Sequence, residues 1–267
     1  MEVVGYVASI LIGVSLGLIG SGGSILTVPL LVYLFHVSPL LATTYSLAIV
    51  GLSSIAGVIS RLKQKLVDFK TIFIFGLPSI AGVFLSRKYL VPAIPEEMIW
   101  GTHLVITKSH FIMLFFATLM LIAALSMILG KNKKEQEGVL PIYGFALMLV
   151  GFGEGSLTGI VGAGGGFLII PALVLLAKLP MKKAIASSLV IISIKSLVGF
   201  TGDLFHASVD WSFLSKIILL ATLGIVTGNY LNKKIDGAKL KKGFGFFVLG
   251  MSLVIIIEQF FFSNLIK

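Results

Sequence analysis

The chain holds no cysteine, which excludes disulfides and thiol chemistry and leaves its redox compartment unmarked. Charge is scarce as well: 12% of the 267 residues are Asp, Glu, Lys or Arg, where a soluble globular chain carries about 25%. Acids are rarer than bases, 11 against 21, so the formal net charge is +10. No GxxxxGK[ST] loop is present to cradle a nucleotide phosphate, which argues against ATP hydrolysis. The four histidines, His36, His103, His110 and His206, fall at no metal-ligand spacing, so neither a metal nor a cofactor is expected. What fills the space is apolar: 57% hydrophobic residues and a mean hydropathy of +1.08.

That content is organised for a bilayer. Apolar segments run over 4–20, 24–35, 42–60, 71–86, 111–129, 139–161, 167–177, 184–202, 213–231 and 243–262. Most approach the roughly 20 residues that a helix needs to cross hydrocarbon. The expectation is an all-α, multi-pass protein of the cell membrane. The first segment carries Glu2 and no basic leader, and reads as a span rather than a cleaved signal peptide. In a soluble protein an excess of base would suggest nucleic acid. Here the bases sit mostly between apolar segments, where they mark topology, and no nucleic-acid partner is expected.

Two segments, 24–35 and 167–177, are short, and each follows a glycine cluster, GLIGSGGS at 17–24 and GIVGAGGG at 159–166. The clusters open an internal repeat. Residues 17–69 match 159–211 without a gap at a constant offset, and Gly17, Gly20, Gly22, Gly23 and Pro29 return as Gly159, Gly162, Gly164, Gly165 and Pro171. Shared hydrophobicity does not explain glycine, proline and aspartate (Asp68 and Asp210) held in one register. The halves are expected at 1–130 and 139–267, with 131–138 a cytoplasmic linker.

Loop charge bears on their orientation. Segment 61–70 holds Arg61, Lys63, Lys65 and Lys70 against Asp68, whereas its equivalent, 203–212, holds Asp203 and Asp210 and no base. Equivalent loops of opposite charge suit opposite sides of the membrane. If each short segment returns the chain across the bilayer, each half has five elements and the second copy is inverted, as in many secondary transporters. The segment that fits worst is 87–110, expected outside yet carrying Arg87, Lys88 and Lys108.

A backbone that breaks its helix within hydrocarbon needs protein, water or a ligand beside it. The helix that restarts there presents free N–H groups and a positive dipole end to an anion. Gly20, Ser21, Gly22, Gly23 and Ser24 in the first half, and Gly162, Gly164, Gly165 and Gly166 in the second, are therefore candidates for binding a small anion; close helix packing is the plainer reading of such glycines. Lys195, amid an apolar span, needs a carboxylate, a cavity or an anion. Glu154 is a candidate for proton coupling, or else the structural partner of Lys195. Ser46 and Ser188, each at an equivalent place in its repeat, are weaker ligand candidates, because a helical hydroxyl often bonds its own helix. Glu258 stands close to the end of its span. Asp68 and Asp210 read as helix N-caps.

These motifs resemble the TauE/SafE sulfite exporter family of membrane permeases. The resemblance rests on GLIGSGGSILTVPLL (17–31), GIVGAGGGFLIIPAL (159–173), ATTYSL (42–47), AIASSL (184–189) and VDW (209–211), and covers essentially the whole chain. Ser24 departs from the three-glycine form, and Ala207-Ser208 stand where a glycine is usual before Val-Asp. The resemblance implies secondary transport of small anions such as sulfite, sulfonates or other sulfur-containing organic anions, in a bacterial or archaeal plasma membrane. It leaves the substrate and the direction of transport open. An anion channel is the first alternative and a membrane enzyme acting on lipid or phosphate the second; no catalytic constellation favours the latter, and the chain is not read as an enzyme. The expected partners are the anion, the lipid bilayer and protons. The oligomeric state stays open, a dimer included.

Overall fold

In the computed structural model the chain is described over residues 2–100, 104–129, 143–162, 164–204, 208–232 and 237–261. Five helices make up the first half. Helix α1 (Glu2–Ile19) passes into a 3-10 helix (Gly20–Leu26) that runs on into the short α2 (Thr27–Tyr33). There follow α3 (Pro39–Lys63), α4 (Phe69–Ala93) and α5 (Lys108–Leu129), with a small antiparallel hairpin, β1 (Glu97–Trp100) and β2 (Leu104–Thr107), between the last two. The second half repeats the plan with α6 (Tyr143–Val161), short α7 (Gly166–Leu175), α8 (Met181–Asp203), α9 (Trp211–Asn232) and α10 (Gly237–Phe261). Six of these helices, among the described residues, are long and apolar enough to cross a membrane. The protein is thus a polytopic, multi-pass membrane bundle, helical apart from the hairpin, which the sequence reading did not foresee. The expected linker at 131–138 lies outside the described residues, as do His103 and His206.

The two most buried helices, α3 and α8, form the centre of the bundle. Their outer neighbours face lipid. Phe69, Phe73 and Leu77 on α4 are exposed one helical turn apart, and Leu219, Leu223, Val226 and Tyr230 do the same on α9. In water such stripes would be costly; against acyl chains they cost nothing.

Long-range packing follows the repeat. Helix α1 lies along α9 and α6 along α4, while α3 packs on α8 and α5 on α10. Exchanging the halves turns the first pair into the second and the other two into themselves. The agreement reaches single atoms. A Cβ on Gly13 would collide with the Ala221 carbonyl oxygen, and one on Gly155 with that of Ser79. These are equivalent positions under the sequence offset, and both let two backbones touch. At the centre, the Ser193 hydroxyl donates to the Gly51 carbonyl at 3.2 Å, joining two residues that are themselves repeat mates.

Contacts also give the helix directions. Thr44 meets Asp203 near one end of the α3–α8 pair and Gly57 meets Leu189 near the other, so the two equivalent helices run antiparallel. The first short element brings the chain back toward the start of α1: Phe35, just beyond α2, packs on Tyr6. The aspartate caps are present as expected. Asp68 Oδ1 accepts from the Thr71 amide at 2.8 Å, and Asp210 Oδ1 from the Phe213 amide at 3.0 Å. Each capping loop is tied to the other half. The Asp210 amide donates to the Tyr45 hydroxyl and the Asp68 amide to the Ser187 hydroxyl, at 2.8 and 2.9 Å, and Tyr45 and Ser187 are again repeat mates.

Two of the three bases of segment 87–110 are paired with acids. Helix α4 continues to Ala93, and a π-type turn over Ser86–Leu90 turns Arg87 inward while Lys88 points out. Arg87 is buried on Asp203, with Nη1 at 3.0 Å from Oδ2, and Lys108 pairs with Glu96 at 3.3 Å. Neither Arg87 nor Asp203 is a loop charge.

Candidate functional site

The two glycine clusters, alike in sequence, differ in backbone. In the first, Gly20 alone takes a left-handed conformation, at φ 74°, against the Ile185 side chain, and the chain then stays helical. Gly22 lies within that 3-10 turn, Gly23 packs on Ser15 and Leu16, and Ser24 is fully buried; the Ser21 side chain is outside what is described. In the second cluster Gly162, Gly164 and Gly165 all take positive φ, at 70°, 64° and 72°. Only glycine adopts that run without strain. The turn is sharp, and Gly166 starts α7 afresh.

Three polar side chains crowd this second turn. A Cβ on Gly165 would collide with Glu154 Oε1, one on Gly162 with Arg87 Nη2, and one on Gly164 would stand 2.9 Å from the Ser196 hydroxyl. Glycine is therefore required twice over, by conformation and by approach. Glu154 thus brings a carboxylate to the start of α7, where the N-terminal dipole favours negative charge.

Lys195 completes the cluster. Its Nζ lies 2.6 and 2.8 Å from the two Glu154 oxygens, 3.2 Å from the Thr158 hydroxyl and 3.4 Å from that of Ser79. Ser79 in turn donates to Glu154 at 2.7 Å. The lysine is completely buried and the glutamate almost so. Three helices, α4, α6 and α8, supply these groups near their middles, far from any interface to which Lys195 could snorkel. Two unpaired charges here would be prohibitive; paired and hydrogen-bonded, they form a neutral unit.

The weaker candidates separate. Ser188 donates to the Ile185 carbonyl at 2.9 Å within its own helix. Ser46 is fully buried and its hydroxyl has no hydrogen-bond partner. Glu258 is half-buried near the end of α10. No group of three or more His, Cys, Asp or Glu able to hold a metal occurs among the described residues.

Sequence reasoning missed the second buried cluster, Arg87–Asp203–Thr43. Arg87 Nη1 donates to Asp203 Oδ2 and to the Thr43 hydroxyl, both at 3.0 Å, and Asp203 Oδ2 also accepts from Thr44 at 2.8 Å. One signal was available. The chain has only two arginines, Arg61 and Arg87, among its 21 basic residues, and both are buried. An open cavity of about 530 Å³ lies at the same end of the bundle, lined in part by His36, Ser38, Tyr45 and Asp210.

Comparison with known proteins agrees with this architecture. Residues 6–255 match the family described as Sulfite exporter TauE/SafE. A probable membrane transporter protein of Xylella fastidiosa (strain 9a5c) is 30% identical over 253 residues, covering 92% of this chain and 91% of its own. The probable membrane transporter protein YunE of Bacillus subtilis (strain 168) is 26% identical over 266 residues, covering 86% and 90%. MJ0441 of Methanocaldococcus jannaschii, of the same description, is 27% identical over 207 residues, covering 71% and 69%. No solved structure matches the chain. The family is one of transporters, not catalysts, and on this match the chain, a multi-pass helical bundle with buried charge clusters, belongs to the TauE/SafE family of small-anion membrane transporters.

Proposed function

We propose that the protein is a proton-coupled secondary transporter of sulfite, sulfonates or related sulfur-containing organic anions, and that the second glycine turn with Lys195 and Glu154 is its central site. The observation that carries this reading is the Lys195–Glu154 pair set against the start of α7. Glu154 occupies the place that an anionic substrate would take: a carboxylate held by an ammonium, two hydroxyls and a helix N-terminus. A monoanion entering there raises the local charge from zero to minus one, which a buried site resists. Protonation of Glu154 restores zero and frees Lys195 for the substrate. One proton accompanies each monoanion, and an acidic outside drives uptake.

Alternating access follows from two inverted halves, 1–130 and 139–267, moving against each other. The antiparallel α3–α8 crossing supports the inversion, since equivalent helices of parallel repeats would run the same way. The remaining basic loops then face the cytoplasm and both chain ends face out. Gly20 to Ser24 serve the same path from the other half, with Ser46 a further contact from α3.

The test is uptake of radiolabelled sulfite or methanesulfonate into proteoliposomes, driven by an imposed proton gradient. Saturable, acid-driven accumulation is expected. Lys195→Ala should abolish it in protein that still inserts and folds. Glu154→Gln, fixed in the neutral form, should retain substrate exchange and lose pH-driven accumulation. Non-saturating flux indifferent to the gradient would instead mean a channel, and uphill transport by Lys195→Ala would remove the lysine from the mechanism.

A further inference from the structure

Arg87 is nearly completely buried, yet only one of its three nitrogens is engaged. Nη1 serves Asp203 and Thr43, whereas Nε and Nη2 have no hydrogen-bond partner. Those two nitrogens form one edge of the guanidinium, with parallel N–H bonds spaced to meet two oxygens of one ligand. A buried polar edge without a partner is costly, and more so on a charged group. The surroundings show that the cost is built in rather than incidental. Asp203 neutralises the charge from the opposite side and leaves the edge free. The π-type turn at Ser86–Leu90 aims the side chain inward, and Gly162 lacks a Cβ at the one point where a Cβ would strike Nη2. The free edge therefore faces the second glycine turn, where Gly162 sets no side chain against it.

We infer that Arg87 is a second anion-binding residue: its Nε–Nη2 edge holds the oxyanion head group of the substrate, two oxygens at once, beside Gly162. This deepens the transport reading above and rests on it. The subsite precedes the central one. Asp203, the partner of Arg87, and Lys195 are eight residues apart on α8, about 12 Å along the helix. That rise sets the scale of the step from Arg87 to Lys195, taken from the end of the bundle that carries the cavity lined by His36, Tyr45 and Asp210. The geometry also sets a preference. Sulfite, sulfonates and carboxylates present two oxygens to the fork, whereas a halide presents one centre and gains no more from arginine than from lysine.

The experiment uses the full-length protein in nanodiscs with radiolabelled sulfite as probe and methanesulfonate or bromide as competitor. Arg87→Lys keeps a positive charge within reach of Asp203 and Thr43 and removes the fork. It should weaken sulfite binding at least about tenfold, leave competition by bromide unchanged, and leave thermal stability close to wild type. Should the lysine variant prove unstable, Arg87→Gln with Asp203→Asn supplies a neutral hydrogen-bonded pair without the fork, and the same loss of sulfite binding is expected. Wild-type affinity in a folded variant of either kind overturns the inference. It does so without touching the transport reading, provided that Lys195→Ala and Glu154→Gln behave as described above. Failure of the wild-type protein to bind or transport any oxyanion tried overturns both.

Discussion

Removing one member of the Lys195–Glu154 pair should be far worse for the fold than removing both. In Lys195→Met the Glu154 carboxylate keeps the Ser79 and Thr158 hydroxyls but loses its ammonium at 2.6 Å, in a position with almost no solvent exposure. Stranding one partner of a buried ion pair costs about 3–5 kcal/mol. For a chain of this size each kcal/mol lowers the melting temperature by about 2–4 °C, so a drop of roughly 6–20 °C is expected. The double variant Lys195→Met with Glu154→Leu buries no charge, and apolar replacement of such a pair is about neutral or stabilising. It should melt near wild type or above it, giving a coupling energy of about 3 kcal/mol or more in the double-mutant cycle. Melting of detergent-solubilised protein, followed by size-exclusion recovery after heating, measures both. Transport should be lost in the single and double variants alike, which separates the stability of the pair from its use. Two results would refute the reasoning: a Lys195→Met protein that melts with wild type, or a double variant as unstable as the single.

Other expectations follow from the same contacts. Gly165→Ala meets both a left-handed backbone and the Glu154 carboxylate, and should destabilise by about 1–3 kcal/mol and depress transport, read as expression of folded protein and initial uptake rate. Gly13→Leu and Gly155→Leu strike equivalent backbone contacts in the two halves, so both should abolish folding, and tolerance of either would break the correspondence. For topology, single cysteines at Gln64 and Ser208, both exposed, should label from opposite faces of intact cells; labelling from one face would end the inverted arrangement. Ser46→Ala removes a buried hydroxyl without a partner and should keep or raise stability while weakening sulfite binding, whereas Ser188→Ala should change binding little.

Much of the fold could be read in the sequence because the repeat is carried by residues that hydrophobicity does not select. Gly20, Pro29 and Asp68 return as Gly162, Pro171 and Asp210, and the long-range helix contacts of the bundle are symmetric under the same offset. The local reading failed where one motif admits two backbones. GSGGS stays helical after Gly20, while GAGGG turns through three left-handed residues, and the difference depends on what packs behind them: Ile185 in one half, Arg87 and Glu154 in the other. Lys195 stood out because a charge amid an apolar span is conspicuous. Arg87 did not, since a base near the end of a span looks like a loop residue. Its acid lies 116 positions away, and only folding brings them together. The hairpin at 97–107 escaped notice because its two strands have four residues each.

The two ends of the central helix pair are closed by different means. At one end an ion pair, Arg87 with Asp203, spans α4 and α8. Under the sequence offset, Asp203 corresponds to Arg61 and Arg87 to Asn229, so the opposite end holds a cation that donates from Nη2 to the Gly17 carbonyl and has no acidic partner among the described residues, with an amide in place of the second charge. A symmetric machine would rest equally in its two orientations. On the proposed mechanism this one is biased, because breaking the first closure separates opposite charges and breaking the second, among the described residues, does not. A difference of only about 1.4 kcal/mol makes one orientation ten times more populated than the other. If the halves alternate as proposed, the inequality of Asp203 and Arg61 acts as a rectifier, setting on which side of the membrane the unloaded carrier waits.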